Sequence, residues 1–341
     1  MSFAGIHQYI DRDSSRVVTE HLYADHWVRW LYSSARERMP GLFKAATSAR
    51  FSELLSFIHY DNPICLQPIH VERMARKLGI NLAECLDPQN ALRSPRRLFE
   101  RKIRYWDCRP MANRPQEVVA PADAKVLAGS LSSTSLLHVK EKFFSYEELL
   151  GPVNHRWLDT FRNGVFAVFR LTPEKYHYNH VPVSGTVVDV YELPGVYHSC
   201  NPGAVLTEAT PFSKNKRCIT VFDTNVKGGT GVGYVAMIEI VALMIGDIVQ
   251  CYSDQRYDDP RLPAPGTAVL KGQPKSLYRP GSSVDVLLFQ KGAVRISEDI
   301  LRNLNRVDVK SRFTQNFEKP LVETDVQVRS PIACRAAGAG Y

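Results

Sequence analysis

Residues 218–252 read CITVFDTNVKGGTGVGYVAMIEIVALMIGDIVQCY, and this stretch decides the fold class. Two β-branched and aromatic runs, Cys218–Phe222 and Val235–Val241, flank a glycine-rich segment, and a third run begins at Ile248. Such runs, when they are bounded by Gly, Asn and Asp, are typical of strands joined by turns. The segment Gly228–Gly233 therefore predicts a hairpin loop between two strands.

The same glycines raise the question of nucleotide binding. A dinucleotide fingerprint needs G-x-G-x-x-G at the start of a helix that follows a strand. Counted from Gly229, the sixth position is Tyr234, and the glycines precede a strand instead of opening a helix. The hairpin loop is the better interpretation.

Strand runs of this kind recur through residues 111–292 with few helical patterns between them, which favours antiparallel sheets over βαβ units. One helix is well marked, because Ser145 and Glu148 form a capping box ahead of Gly151. The further strand runs are Val165–Arg170, Thr186–Tyr191, Ala268–Leu270 and Val284–Phe289.

Upstream of residue 111, apolar residues recur at helical spacing. We therefore predict an α+β fold with a helical region over 1–110 and a mostly antiparallel β-rich domain, with sandwich- or barrel-like sheets, over 111–292. Residues 293–341 are polar and then Ala/Gly-rich, which indicates a surface tail. The apolar residues of the first helical pattern are Val18, Leu22, Trp27, Trp30 and Leu31.

The composition excludes a disordered, collagenous or coiled-coil chain, since 44% of the 341 residues are hydrophobic and 23% are charged. Seven cysteines are scattered without a C-x-x-C pair, which indicates a reducing compartment. No secretory signal is visible, and Glu239 and Asp247 interrupt the longest apolar stretch, so we expect a cytoplasmic protein without a membrane span. The net charge of +8 is weak evidence for nucleic acid, and we expect no such partner.

Two histidines, His177 and His180, lie in LTPEKYHYNHVP (171–182). Thr172 can cap a helical turn that Pro173 opens, and residues i and i+3 of that turn share a face. Both imidazoles would then point into one site. A metal ion would suit the spacing, but no carboxylate companion is evident and we expect no metal. Taken alone, the pair is more typical of ordinary surface or core histidines.

The segment Pro280-Gly281-Ser282-Ser283 precedes the strand VDVLLF and has the composition of a β-turn. A serine after glycine can also attack the preceding carbonyl, because glycine puts no side chain in the way. Such a serine needs a base, usually a histidine oriented by a carboxylate. Asp123, in VVAPADAK, is either a turn former or that carboxylate. The candidate set is Asp123, His180 and Ser282.

These segments together resemble the phosphatidylserine decarboxylase family, whose proenzymes cut themselves and convert a serine into a pyruvoyl group. Six segments match the family's motifs in order, over about residues 95–290. The segments are LFERKIRYWDCRPM (98–111), VVAPADAK (118–125), VKEKFFSYEELLG (139–151), FRLTPEKYHYNHVPVSG (169–185), NKRCITVFDT (215–224) and VLKGQPKSLYRPGSSVDVLLF (269–289).

The resemblance implies cleavage between Gly281 and Ser282, giving a β chain that ends at residue 281 and an α chain that begins with a pyruvoyl group made from Ser282. His180, held by Asp123, would take the proton of Ser282, and His177 would protonate the carbanion left after loss of CO2. The β-rich domain would then be a catalytic decarboxylase domain. The expected reaction converts phosphatidylserine to phosphatidylethanolamine, and a homodimer is conceivable.

The chain departs from the family pattern at several positions. Ala120 and Ala124 flank the aspartate motif, Ser283 replaces a threonine, and QPKSLY (273–278) lacks the family's Glu, Gly and Phe. These changes leave the proposed triad intact but bear on substrate shape. Two alternatives therefore stay open: a soluble pyruvoyl-dependent decarboxylase of a free amino acid such as an aromatic one, and an inactive lipid-binding relative.

The helical region also predicts peripheral membrane association. Aromatic and apolar residues alternate there with basic ones, which is typical of interfacial helices that meet anionic lipid. Packing of the same residues on the β-rich domain is the alternative. The residues concerned are Trp27, Trp30, Leu31, Leu42 and Phe43, with Arg29, Arg36, Arg38 and Lys44.

Overall fold

A computed structural model describes the fold of residues 6–22, 25, 30–32, 38–48, 68–132, 143–208, 210–243, 247–281, 283–317 and 319–337. Across these ranges, every helix is too short or too polar to cross a membrane. Trp27, Arg29, Arg36 and Ser282 lie outside the described residues.

Sixteen strands are described within these ranges, and the predicted runs are all among them. In chain order the strands are β1 (Gln8–Asp11), β2 (Val17–Thr19), β3 (Glu117–Val119), β4 (Ala124–Ser130), β5 (Val165–Leu171), β6 (Tyr178–His180), β7 (Gly185–Leu193), β8 (Arg217–Asp223), β9 (Tyr234–Val241), β10 (Ile248–Gln250), β11 (Ala268–Val269), β12 (Pro274–Tyr278), β13 (Ser283–Phe289), β14 (Val294–Ile296), β15 (Thr324–Val326) and β16 (Pro331–Arg335).

The described helices are short and lie mainly outside the strand-rich stretch 217–296. In chain order they are α1 (Pro40–Ala46), α2 (Pro68–Leu78), α3 (Pro95–Phe99), α4 (Tyr105–Cys108), α5 (Tyr146–Leu150), α6 (His155–Phe161), α7 (Pro202–Thr207), α8 (Pro211–Lys214), α9 (Glu298–Leu304) and α10 (Arg312–Phe317). As predicted, the Ser145 side chain caps α5 by accepting from the Glu148 amide, and Gly151 follows the helix with a φ of 88°.

Ten strands form one large open sheet in the order β11-β7-β8-β9-β13-β5-β4-β15-β1-β2. All of its neighbours are antiparallel except β1 and β15. Two three-stranded sheets, β10-β12-β6 and β14-β16-β3, accompany it. The glycine-rich segment 228–233 joins the antiparallel pair β8 and β9, so the hairpin prediction is confirmed and the α+β class with it.

Strand alternation divides the core into two layers. On β13, Val284, Val286 and Leu288 belong to one buried cluster together with helix residues such as Trp157. Leu287 and Phe289 point to the other face, whose cluster contains residues of both small sheets. The candidate site lies in this second layer, between sheets.

The segment 293–341 is not the surface tail that its composition indicated. Strand β15 lies between β4 and β1 inside the large sheet, and β14 and β16 form the third sheet with β3. Val18, expected on a helix, lies in β2 at the edge of the large sheet. Both chain ends therefore share this sheet with the β-rich region 111–292.

A buried ion-pair network holds the two chain ends against β5. Arg170 pairs with Glu20 and Glu323, with N–O distances of 2.6 and 2.5 Å, and His7 lies 2.8 Å from Glu323. His7, Glu20 and Glu323 are spaced closely enough to hold a metal ion, but Arg170 already supplies the positive charge to both carboxylates. The charged side chains of this network can thus be buried because they form ion pairs with one another.

Removing the Arg170 guanidinium should lower the free energy of unfolding. Arg170→Met removes the guanidinium that bridges the buried Glu20 and Glu323 and leaves them only His7 and the more distant Lys125, which costs about 3–5 kcal/mol of the free energy of unfolding. Urea denaturation measures the loss. Arg162→Met, which removes an exposed ion pair with Asp159, is the matched control and should leave the midpoint unchanged. Equal midpoints for the two variants would contradict the stabilising role of the network.

Candidate active site

Strand pairing brings the histidine segment against the segment that precedes the expected cleavage point. In the sheet β10-β12-β6, Tyr178 pairs with Leu277 and Asn179 with Ser276. The Tyr278 amide extends this ladder by donating to the His177 carbonyl over 3.0 Å. Residues 279–281 then lead directly from β12 to β13. Two segments about a hundred residues apart in the chain thus form one wall.

His180 ends β6 and His177 immediately precedes that strand, so the predicted helical turn carrying both histidines is wrong. The chain does turn at Thr172, whose carbonyl accepts from the Lys175 amide, but pairing with β12 extends the residues that follow. The His177 ring stacks on Phe99, with ring centres 3.6 Å apart, and His180 meets the edge of Tyr105 at 4.7 Å.

His180 is fully buried, and both of its ring nitrogens have partners. Nδ1 donates to the Gly272 carbonyl over 2.9 Å, since a carbonyl only accepts. Burial lowers the pKa of His180 to about 3, so the ring is neutral near pH 7 and Nε2 carries the lone pair. Nε2 lies 3.0 Å from the Tyr176 hydroxyl, which donates to it.

The hydroxyls behind His180 can reverse their direction. Tyr176 lies 2.7 Å from the Tyr257 hydroxyl, which in turn lies 2.9 Å from the Ile103 carbonyl. When the His180 imidazole is neutral, the Tyr257 hydroxyl donates to Tyr176 and the Tyr176 hydroxyl donates to Nε2. With an imidazolium, Nε2 donates to Tyr176, Tyr176 to Tyr257, and Tyr257 to the carbonyl. The chain therefore offers His180 a partner in both protonation states.

His177 presents one nitrogen without a partner. Its Nδ1 donates to the Lys175 carbonyl over 2.7 Å, while Nε2 is buried and has no hydrogen-bond partner among the described residues. Burial, and then the charge of Arg101, lower the pKa of His177 to about 3. Nε2 therefore keeps a free lone pair.

Asp123 is buried immediately before β4 and is held by Arg109. The guanidinium donates to its two oxygens over 3.0 and 2.8 Å, and the Val328 amide donates over 2.8 Å. Burial would raise the pKa of Asp123, but the charge and hydrogen bonds of Arg109 outweigh it and hold that pKa below its usual range. Asp123 is therefore ionised.

The structure brings Asp123 and His180 into one neighbourhood without joining their side chains. The His180 amide donates to the Pro121 carbonyl over 2.7 Å, two residues before Asp123. The described atoms include no hydrogen bond between the carboxylate and the imidazole. The negative charge of Asp123 nonetheless acts on both imidazoles and opposes the lowering of their pKa values.

A second polar cluster lies in the same inter-sheet layer. Glu239 accepts from Lys275 and from Gln250, each over 2.7 Å. Asp285, directly opposite Glu239 on β13, accepts from the Tyr278 hydroxyl over 2.7 Å. Burial, and then the charge of Glu239, raise the pKa of Asp285 well above its usual range, so this carboxyl is protonated.

Several buried polar atoms around the 281–283 junction have no partner among the described residues. The atoms are Ser283 Oγ, Asp285 Oδ2, Asn179 Oδ1 and His177 Nε2. Buried polar groups in folded proteins are nearly always hydrogen-bonded, so unsatisfied ones indicate a missing ligand or reacting group.

Sequence reasoning missed part of this arrangement. Arg109 stands in the cationic cluster of residues 93–109, and Tyr176 is adjacent to His177, so both carried a local signal. Tyr257 and the Gly272 carbonyl carried none, because only the fold brings them to His180.

Comparisons with known proteins match this sequence to one family. The family model described as phosphatidylserine decarboxylase matches residues 96–315. A phosphatidylserine decarboxylase proenzyme of Clostridium tetani is 26% identical over 87% of this chain and 93% of its own length. That of Fusobacterium nucleatum is 26% identical over 93% and 98%. A phosphatidylserine decarboxylase proenzyme 2 of Oryza sativa is 32% identical over 67% of this chain and 34% of its own length.

Proposed function

The chain belongs to the phosphatidylserine decarboxylase family and is a decarboxylase, and from that premise we propose that it cleaves itself at Gly281–Ser282 and decarboxylates phosphatidylserine to phosphatidylethanolamine. The observation that carries the proposal is the pairing of β6 with β12, which sets both histidines beside the segment leading to Gly281. The relatives' designation as proenzymes supports processing into two chains.

Cleavage begins at the turn between β12 and β13. Gly281 has a φ of 146°, a conformation that side-chain-bearing residues rarely adopt. The missing Cβ also leaves its carbonyl open to the Ser282 hydroxyl. As the Oγ–C bond forms and the C–N bond between the two residues breaks, the peptide becomes an ester. Elimination and hydrolysis then leave a pyruvoyl group on the chain that starts at residue 282 and release ammonia.

His180 is the base that takes the serine proton. Its Nε2 lone pair is contacted by the Tyr176 hydroxyl, so the serine proton reaches it through that hydroxyl, and the imidazolium that forms keeps Nδ1–H on the Gly272 carbonyl. The Tyr176–Tyr257 hydroxyls reverse and accept the new N–H. The negative charge of Asp123 favours the imidazolium, so the carboxylate assists through charge while Arg109 holds it in place.

The residues around position 282 fit a pyruvoyl group. Ser283 Oγ and the protonated Asp285 can donate hydrogen bonds to a carbonyl there, and both lie on the face of β13 that meets the second sheet. When present, the group supplies the electron sink for the pair released by loss of CO2. His177 would receive a proton at Nε2 from the substrate's ammonium group and pass it to the α-carbon, and its low pKa makes that proton easy to give.

Residues near α1 support contact with a lipid surface. Trp30, Met39 and Leu42 are 38, 43 and 45% exposed. Phe43 instead packs on the buried Tyr32 and on His198, which fastens α1 to the β-rich region. The exposed apolar side chains, with the basic Lys44 beside them, form a surface suited to the headgroup region of an anionic bilayer.

Self-cleavage is the first test of the proposal. Wild-type protein should separate into residues 1–281 and 282–341, and Ser282→Ala should stay one chain, as seen by intact-mass spectrometry. Ser283→Ala removes the neighbouring hydroxyl and should still cleave. Wild type that stays whole after long incubation, or cleavage that depends on Ser283 and not on Ser282, would contradict the assignment.

Experiments with lipid vesicles test the substrate and the membrane-binding surface together. Cleaved protein should sediment with phosphatidylserine vesicles, release CO2 from them, and lose binding as salt rises to about 0.5 M, where charges are screened within a few ångströms. Leu42→Gln should weaken sedimentation, while Val153→Gln, at a residue 79% exposed on another surface, should not. Indifference to vesicles with turnover of a free aromatic amino acid would identify a soluble amino-acid decarboxylase instead.

A further inference from the structure

Arg101 is a buried cation without a carboxylate partner among the described residues. It is 6% exposed, and its only hydrogen bonds are to two backbone carbonyls, Leu98 at 3.1 Å and Glu174 at 2.9 Å. A guanidinium has five N–H groups, so three of them, including that on Nε, have no acceptor in the described part of the chain.

Most other arginines with little exposure are satisfied, although the buried Nε of Arg329 has no partner among the described residues. Arg170, Arg109 and Arg312 each pair with one or two carboxylates. Arg217 has none, but its Nε and both terminal nitrogens each donate to a carbonyl, two of them at the end of α5. Only Arg101, of these five, is both unpaired and partly unsatisfied. Burying a charge in this way is costly unless a ligand compensates it.

The guanidinium lies close to the His177 segment. Arg101 donates to the Glu174 carbonyl, and the next carbonyl in the chain, that of Lys175, holds His177 Nδ1. Phe99, two residues before Arg101, stacks on the imidazole. The charge of Arg101 is the second cause, after burial, of the lowered pKa of His177. Arg101 and His177 are therefore neighbours, and each has nitrogen atoms without a hydrogen-bond partner among the described residues.

We propose that Arg101 binds the phosphate oxygens of the substrate headgroup next to His177. The proposal rests on the function given above and names the residue that recognises the phosphodiester. The planar guanidinium fork matches two phosphate oxygens. In phosphatidylserine, one methylene and one oxygen separate the α-carbon from phosphorus. A phosphate held at Arg101 therefore leaves the α-carbon within reach of the neighbouring imidazole.

The substrate's carboxylate is the other anion that a guanidinium could bind, and the chemistry disfavours it. Loss of CO2 removes the negative charge from the carboxylate, so an ion pair there stabilises the ground state more than the transition state and slows the reaction. The phosphate keeps its charge throughout. Arg101 can hold it without raising the barrier.

Binding to uncleaved protein tests the phosphate site without any need for turnover. Full-length Ser282→Ala protein is titrated calorimetrically with O-phosphoserine, serine and inorganic phosphate at constant ionic strength. O-phosphoserine and phosphate should bind, and adding Arg101→Gln should weaken both by about tenfold or more, since a hydrogen bond to a charged group contributes about 1.5–3 kcal/mol. Arg97→Gln, at an exposed arginine on the helix that precedes Arg101, should change nothing.

A conservative variant separates recognition from folding. Arg101→Lys keeps the charge without the fork and should bind O-phosphoserine more weakly than the parent and more tightly than Arg101→Gln. Unchanged binding in both Arg101 variants, no phosphate binding by the parent, or equal loss of serine and O-phosphoserine would overturn the proposal. The last of these results would assign Arg101 to the carboxylate.

Kinetics of the cleaved enzyme distinguish failure of this site from failure of the function. In the chain with Ser282 intact, Arg101→Gln should cleave normally, raise KM for phosphatidylserine by about tenfold or more and change kcat little. Normal KM with normal turnover would remove Arg101 from recognition and leave the function standing. Arg101-dependent phosphate binding in a chain that never cleaves would refute the function and leave the anion site.

Discussion

The antiparallel pairing of β6 with β12 is the constraint on which the rest of the site depends. It fixes His180 opposite Pro274 and the His177 carbonyl on the Tyr278 amide, so the backbone that carries the two imidazoles cannot move without breaking the ladder. The same pairing carries the chain from β12 through Gly281 into β13. Because β13 is held on both sides by β5 and β9, the turn at Gly281 is anchored at each end.

This arrangement sets two histidines in a layer from which water is excluded, and the electrostatics follow from that. Charged groups in the layer are held by specific partners, Asp123 by Arg109 and Glu239 by Lys275. The imidazoles have no carboxylate hydrogen-bonded to them and are neutral instead. Neutral imidazoles with carbonyls on Nδ1 are bases at Nε2, which is the state that proton transfer from a serine requires. Burial thus determines the protonation state of both histidines and so makes each a base at Nε2.

Local patterns predicted the strands, the loop at Gly228–Gly233 and the capped helix after Ser145, because each depends on residues close in the chain. These patterns failed where pairing with a distant segment determines the local structure. The signals at Thr172 and Pro173 were compatible with a helical turn until β12 paired with the residues that follow. The polar C-terminal segment entered the large sheet because Arg170 neutralises Glu323. The candidate residues could be recognised from the sequence motifs in which they occur. Their hydrogen-bond partners became apparent only from the fold.

The central claim is that both histidines are buried, neutral and protonated on Nδ1, and nitrogen-15 NMR of histidine-labelled full-length protein tests it most directly. A folded-state pKa of about 3 predicts that His177 and His180 stay as neutral Nδ1–H rings from pH 8 down to about pH 5. Their signals are assigned with His177→Gln and His180→Gln variants. Titration of either ring near the ordinary histidine pKa of about 6.5, or a neutral ring protonated on Nε2, would contradict the account.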